Sequence, residues 1–131
     1  MTTLYVDSSA ALKRIFAEPD SDLVAATLRS RVASGDLVGT SSLTWVEVTR
    51  SVLRAELVQV DAQVDAALSG IAELPLDDGI LVRARRIGPP DLRSLDALHL
   101  ASAVVLGAGE MLTFDHRLAA AARSAGVRAI P

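Results

Sequence analysis

The stretch SLDALHLASAVVLGAGEMLTFDHRLAAAARSAGVRAI, Ser94 to Ile130, decides the fold class. Ser94 is a good helix cap, and Leu95 to Leu106 reads as a helix ended by Gly107 and Gly109. Glu110 to Phe114 then reads as a strand, His116 to Ser124 as a second helix, and Val127 to Ile130 as a final strand. Strands separated by helices pair in parallel, and a parallel sheet needs helices over both faces. The same alternation continues toward the N-terminus. Thr3 to Val6 is an apolar run of strand length ending at Asp7. Ser8 and Ser9 are cap residues for a helix over Ala10 to Ala17, stopped near Pro19. A helix over Ser21 to Ala33 ends at Gly35. Leu37 to Thr40 is a strand leading into Ser41 and Ser42, which cap a helix over Leu43 to Leu57. Asp61 to Leu74 reads as a further helix, Pro75-Leu76 as a strand fragment, and Asp77 to Ile87 as a helix closed by Gly88-Pro89-Pro90. No repeat, linker or low-complexity segment intervenes. Residues 1–131 therefore read as one domain of the α/β class, a three-layer α/β/α sandwich on a mostly parallel sheet.

Composition narrows the chemistry. A length of 131 residues suits one compact domain, and a hydrophobic content of 50% supplies a core. With aromatics at 3%, that core is packed from Leu, Val, Ile and Ala. The absence of cysteine excludes disulfides, zinc–thiolate sites and thiol nucleophiles. No basic stretch followed by an apolar run opens the sequence, so no secretory signal is read. The longest apolar segment, Leu95 to Leu106, carries Asp96 and His99 and is too short to cross a bilayer. A soluble cytoplasmic protein without a membrane partner is expected. A formal charge of −3 argues against nucleic-acid binding by bulk electrostatics. An acidic chain can still act on RNA if cations cover its carboxylates and basic groups gather locally. Arg83, Arg85, Arg86 and Arg93 form the densest basic group, which ordinarily is a solvated helix face, and Lys13 is the only lysine.

Four acids stand out, each with a plain structural alternative. Asp7 lies at the carboxyl end of a strand, where open α/β sheets place their ligands, and it would also serve as a helix cap. Asp115 stands in the same two situations. Asp96 lies in a helix that is apolar nearly all round, where a carboxylate is costly unless paired or bound to a cation. A first-turn position beside the helix dipole explains why an acid is tolerated there, but not why one is present. Glu47 shares a helical stripe with Arg50 and Arg54, and by periodicity it is a surface ion-pair residue. Two strand-end acids and two helix-borne acids could converge on one cleft, where only a hard divalent cation relieves their repulsion. Sites of this kind can hold two metals about 4 Å apart that activate water against a phosphodiester. His99, three residues after Asp96, reads as a hydrogen-bonded core or orienting histidine, and His116 as an exposed helix-start residue.

The segments Tyr5-Val6-Asp7-Ser8-Ser9-Ala10, Ser41-Ser42-Leu43-Thr44-Trp45-Val46-Glu47-Val48-Thr49-Arg50, Arg93-Ser94-Leu95-Asp96-Ala97-Leu98-His99-Leu100-Ala101 and Leu112-Thr113-Phe114-Asp115-His116-Arg117-Leu118 together resemble the PIN-domain family. The likeness is to its VapC branch, the ribonuclease toxins of type II toxin–antitoxin modules. The resemblance covers nearly the whole chain, is most specific around Asp96, and is one of pattern only from Val58 to Arg86. It implies a sheet of strand order 3-2-1-4-5 and an acidic quartet of Asp7, Glu47, Asp96 and Asp115 binding Mg²⁺ or Mn²⁺. That assignment overturns the periodicity reading of Glu47. Ser8 and Thr113 match polar positions that line the family's site. The implied activity is endoribonuclease cleavage of RNA by metal-activated water, leaving a 5′-phosphate and a 3′-hydroxyl. Arg50, Arg54 and Arg93 are candidates for RNA phosphate contacts. A homodimer inhibited by a VapB-type antitoxin is implied as well.

The competing class is a non-enzymatic α/β module that binds Mg²⁺, such as a receiver domain. That would need a lysine at the end of a late strand, and Lys13 is not so placed. No glycine loop cradles a phosphate, because Gly107-Ala108-Gly109 precedes a strand instead of opening a helix. A phosphatase using Asp7 as nucleophile would show a second acid where Ser9 stands. A partner-binding protein of the same fold with little turnover is the remaining alternative.

Overall fold

The computed structural model describes residues 2–131. Five strands, β1 (Thr3–Val6), β2 (Leu37–Ser41), β3 (Ala72–Leu74), β4 (Glu110–Leu112) and β5 (Arg128–Ile130), form one sheet of order β3-β2-β1-β4-β5. Every neighbouring pair is parallel. The order differs from the 2-1-3-4-5 arrangement of flavodoxin-like and receiver folds.

Side chains along β1 alternate between two cores, as a pleated strand requires. Leu4 and Val6 join Val38 and Leu112 in a core covered by α1 (Ser8–Ala11), α2 (Ser21–Ala33), α3 (Ser42–Arg54) and α4 (Val60–Ala67). Tyr5 and Met111 face the other way, into a core closed by α6 (Ser94–Leu106) and α7 (His116–Ser124). α5 (Asp78–Ala84) packs along α6. The three layers follow from the sequence pattern: strands apolar on both faces can only be interior. Gly39, level with Tyr5 on β2, leaves room for α6, since a Cβ there would stand 2.8 Å from Leu106 Cδ2.

Several element boundaries differ from the sequence reading. The helix expected over Asp61 to Leu74 stops at Ala67, and Gly70 in the left-handed region (φ +79) turns the chain into β3. The third strand is therefore Ala72–Leu74 rather than Pro75-Leu76. The first helix begins two residues early, at Ser8, because Asp7 rather than a serine caps it, and it decays into a 3₁₀ turn over Leu12–Arg14. α3 ends at Arg54, and Glu56 and Gln59 then adopt positive φ, a conformation side chains resist. α6 starts at Ser94, with Arg93 in the cap position and no side-chain cap bond. No helix among the described residues is long and apolar enough to cross a membrane.

Candidate acidic site at the carboxyl edge of the sheet

Parallel strands point their carboxyl ends one way, so β1 and β4 deliver Asp7 and the Thr113–Asp115 turn to the same edge. Asp7 is 3% exposed. Its Oδ1 accepts from Ser9 Oγ at 2.7 Å and from the Ala10 amide at 3.0 Å, and its Oδ2 accepts from Thr113 Oγ1 at 2.6 Å. Burial is the largest influence on this carboxyl and pushes it above the usual range, against those hydrogen bonds and the nearby His99. Asp7 is thus both a helix cap and a buried acid without a bonded cation among the described residues.

Thr113 ties the second strand-end acid to the first. Its hydroxyl, donating to Asp7, also accepts from the Asp115 amide at 3.1 Å. Asp115 caps α7, accepting from the Arg117 and Leu118 amides at 2.9 and 3.0 Å. Ser9 adds a parallel link, its Oγ accepting from the Phe114 amide at 2.9 Å. Asp96, in the first turn of α6, is half-buried. Its carboxyl is pushed up first by burial and then by the negative charge of Asp115, with a smaller push from Asp7. His99 and Arg93 pull weakly the other way. Three acids from opposite ends of the chain therefore share one electrostatic field.

Glu47 stands apart from that field. It makes no ion pair with Arg50 or Arg54 among the described residues. Its Oε1 instead accepts from Ser8 Oγ at 2.9 Å and lies 2.6 Å from His99 Nε2. Burial works against its ionisation, but the hydrogen bond and charge of His99, aided by Ser8, outweigh that and hold the carboxyl below its usual range. His99, 2% exposed, also has Nδ1 at 2.8 Å from the Tyr5 hydroxyl, itself 3.1 Å from Ser41 Oγ. Burial raises the Tyr5 phenol to about 12, so it stays protonated.

Sequence reasoning singled out Asp7, Ser8, Glu47, Asp96, Thr113 and Asp115, and all six lie at this edge. It missed the bond of Ser9 to neighbouring Asp7 and those of Ser9 to Phe114 and of Tyr5 to Ser41 and His99, which join residues distant in sequence. Arg93 borders Asp96 at the start of α6 and is exposed, whereas Arg50 and Arg54 are exposed along α3 with no contact to the acids. Beside Asp115 opens a cleft of about 430 Å³, lined by Lys13, Thr113, Phe114, His116 and Arg123 among others. A larger cleft, about 660 Å³, lies between α5 and α6 and holds none of the four acids.

The donor set is all carboxylate and hydroxyl oxygen, which suits Mg²⁺ or Mn²⁺ and not a softer metal. The negative charge that Asp115 and Asp7 impose on Asp96 is the pattern a divalent cation relieves. Among the described residues, no three acid or histidine side chains are gathered tightly enough to enclose an ion as they stand. A small, strongly hydrated cation held by a few carboxylates and its own waters needs no closed protein cage.

Fold and site together define a class: parallel α/β sandwiches with an acid cluster where the two central strands end. Residues 4–124 match the model of the PIN domain, and the chain belongs to the PIN-domain family, on its VapC side. Ribonuclease VapC47 of Mycobacterium tuberculosis is 34% identical over 125 residues, covering 94% of this chain and 92% of that protein. Ribonuclease VapC46 of the same species is 35% identical over 133 residues, covering 99% and 98%. Among solved structures, VapBC2 from Rickettsia felis bound to a promoter DNA fragment superposes with a TM-score of 0.79 at 14% identity, covering 98% of both chains. The M. tuberculosis sarcin–ricin-loop-cleaving toxin VapC20 gives 0.65 at 21% identity, covering 90% and 94%. At those identities the structural matches speak for the fold alone.

Proposed function

We propose that this chain, acting as one domain, is a divalent-cation-dependent endoribonuclease, the toxin half of a VapBC-type module. The observation that carries the reading is the meeting of three acids at one sheet edge: Thr113 bonds Asp7 and the Asp115 amide, and Asp96 feels the negative charge of both Asp115 and Asp7. The ribonuclease names of relatives at 34–35% identity support the reaction class. Asp7, Asp96 and Asp115 would hold Mg²⁺ or Mn²⁺. When bound, such an ion lowers the pKa of a coordinated water and offsets charge on a phosphodiester oxygen. Ser9 and Thr113 fix the Asp7 oxygens, and Thr113 sets the turn that carries Asp115. Glu47, ionised, accepts a hydrogen bond from the attacking water and orients it. Arg93, beside Asp96, is placed to meet an RNA phosphate, and Arg50 and Arg54, exposed on α3, are further candidates. In-line attack leaves a 5′-phosphate and a 3′-hydroxyl. A VapB-type antitoxin as inhibitor and assembly as a homodimer belong to the same proposal, and the VapBC complexes among the fold neighbours support the former.

The test is cleavage of labelled structured RNA by antitoxin-free protein in Mg²⁺, Mn²⁺ or EDTA, with Asp96→Asn beside the wild type. Cuts that need the metal and fall at least about 100-fold in Asp96→Asn are expected, the scale seen when one preorganised charge is removed from a reaction centre. Equal cleavage in EDTA, or full activity of Asp96→Asn, would refute the metal-dependent mechanism.

A further inference from the structure

Position 47 lies on the flank of α3, between exposed Val46 and Arg50 on one side and buried Thr44 and Val48 on the other. From that flank the Glu47 side chain, 27% exposed, reaches across to His99 on α6. A chain of buried polar groups draws it there. Tyr5, in the middle of β1 and fully buried, places its hydroxyl 2.8 Å from His99 Nδ1, with Ser41 Oγ on its other side. The ring of Tyr5 also meets the imidazole edge-on, at 5.9 Å and 70°. The opposite imidazole nitrogen, Nε2, lies 2.6 Å from Glu47 Oε1. An ionised carboxylate only accepts, so Nε2 carries the hydrogen and donates. Ser8 donates to the same oxygen, leaving Oε2 without a protein partner among the described residues.

We propose that His99, braced by Tyr5, is a positioning residue: it tethers Glu47 by one oxygen and thereby presents the other, Oε2, to the hydrated cation at the acidic edge. Imidazole suits the task because its two nitrogens point in opposite directions, so one ring spans from the sheet interior to the site's rim. Tyr5 fixes the ring's rotation, and Ser8 fixes the rotation of the carboxylate about its tethered oxygen. His99 itself does not touch cation or RNA; it acts through Glu47. The inference rests on the metal-dependent reading above.

A double-mutant cycle tests it, with calorimetric Mn²⁺ binding to EDTA-stripped protein as the first readout and RNA cleavage at saturating Mn²⁺ as the second. His99→Ala is expected to weaken Mn²⁺ binding about 10- to 100-fold, the usual cost of losing a group that orients a metal-site side chain. His99→Gln, whose amide N–H can donate to the same carboxylate oxygen, is expected to recover most of that loss. Tyr5→Phe should fall between. In a Glu47→Gln background, His99→Ala and Tyr5→Phe should change Mn²⁺ affinity less than about twofold, because their route to the cation is gone. Where His99→Ala does not fold, the Tyr5→Phe arm, which keeps the ring packed, carries the cycle. A wild type that binds Mn²⁺ and cleaves RNA, with losses equally large in both backgrounds or absent in both, overturns the relay alone. A wild type that neither binds Mn²⁺ nor cleaves RNA overturns the metal-dependent reading and the relay with it.

Discussion

Asp7 performs two duties that pull against each other. As the cap of α1 it stabilises the fold, and as an anion taken out of water it destabilises it. Its folded carboxyl titrates above the ordinary unfolded value of about 3.9. A group of that kind contributes stability that is full below its unfolded pKa and is lost as pH rises through its folded one. Asp96 has the same sign, and Glu47, held below its usual range, has the opposite one. In EDTA, Asp7→Asn should therefore melt higher than wild type at pH 7, the gap closing toward pH 4. Asparagine still caps the helix through its one oxygen, and its amide can donate to Thr113 Oγ1 where the carboxylate accepted from it. Thermal melts across pH 4–8 check this, and a wild type that outlasts Asp7→Asn at neutral pH without metal would contradict it. At this scale the sequence showed which side chains to suspect but not what they touch. Glu47 lies on an Arg-bearing helical stripe, and only the packing of α3 near α6 reveals its partner as His99. The Thr113–Asp7 bond was equally hidden, joining residues 106 positions apart.

Among the elements, α6 repays attention because one of its ends serves the site and the other serves only the fold. Its first turn carries Asp96 and, one turn on, His99; its last carbonyls are closed by Gly107 in the left-handed region, φ +78. A Cβ at Gly107 would meet nothing within 4 Å, so Gly107→Ala costs backbone strain alone. About 1 kcal/mol is expected, which lowers the melting temperature of a chain this size by roughly 4 °C. Mn²⁺ affinity should be unchanged, since Gly107 lies at the far end of the helix from the acids. Differential scanning fluorimetry with a Mn²⁺ titration reads both numbers. The Gly107 stop was legible in sequence because left-handed glycine after an apolar helix is a strong local signal. The break at Ala67 was not. Gly70 falls three residues later, and β3 at the sheet edge, with Ala72 and Glu73 exposed, lacks the apolar alternation that marks a strand.

For the whole molecule, strand–helix alternation was enough to give the class, and the apolar strands enough to give three layers. Strand order was not in the periodicity at all; it entered through family likeness, because parallel crossovers of similar length permit several orders. The order matters to the site, since it alone makes β1 and β4 neighbours. If the three acids form a cation site, Mg²⁺ or Mn²⁺ at 100 times its dissociation constant should stabilise the fold by about 2.7 kcal/mol. That shift should vanish in Asp96→Asn, whose metal-free form should melt no lower than wild type. A divalent-independent melting temperature in the wild type would count against the site.

The neighbouring of β1 and β4 also has a consequence in time. β1 leaves the ribosome more than a hundred residues ahead of its partner on one side, and of Thr113 and Asp115 with it. Until β4 docks, Asp7 has no Thr113 to hold its second oxygen and no Asp115 at its side. A half-made chain, threaded through a machine built of RNA and fed by RNA, thus carries its acids scattered. In the reading proposed here, it becomes dangerous to its own maker only once β4 and the turn after it have emerged and docked.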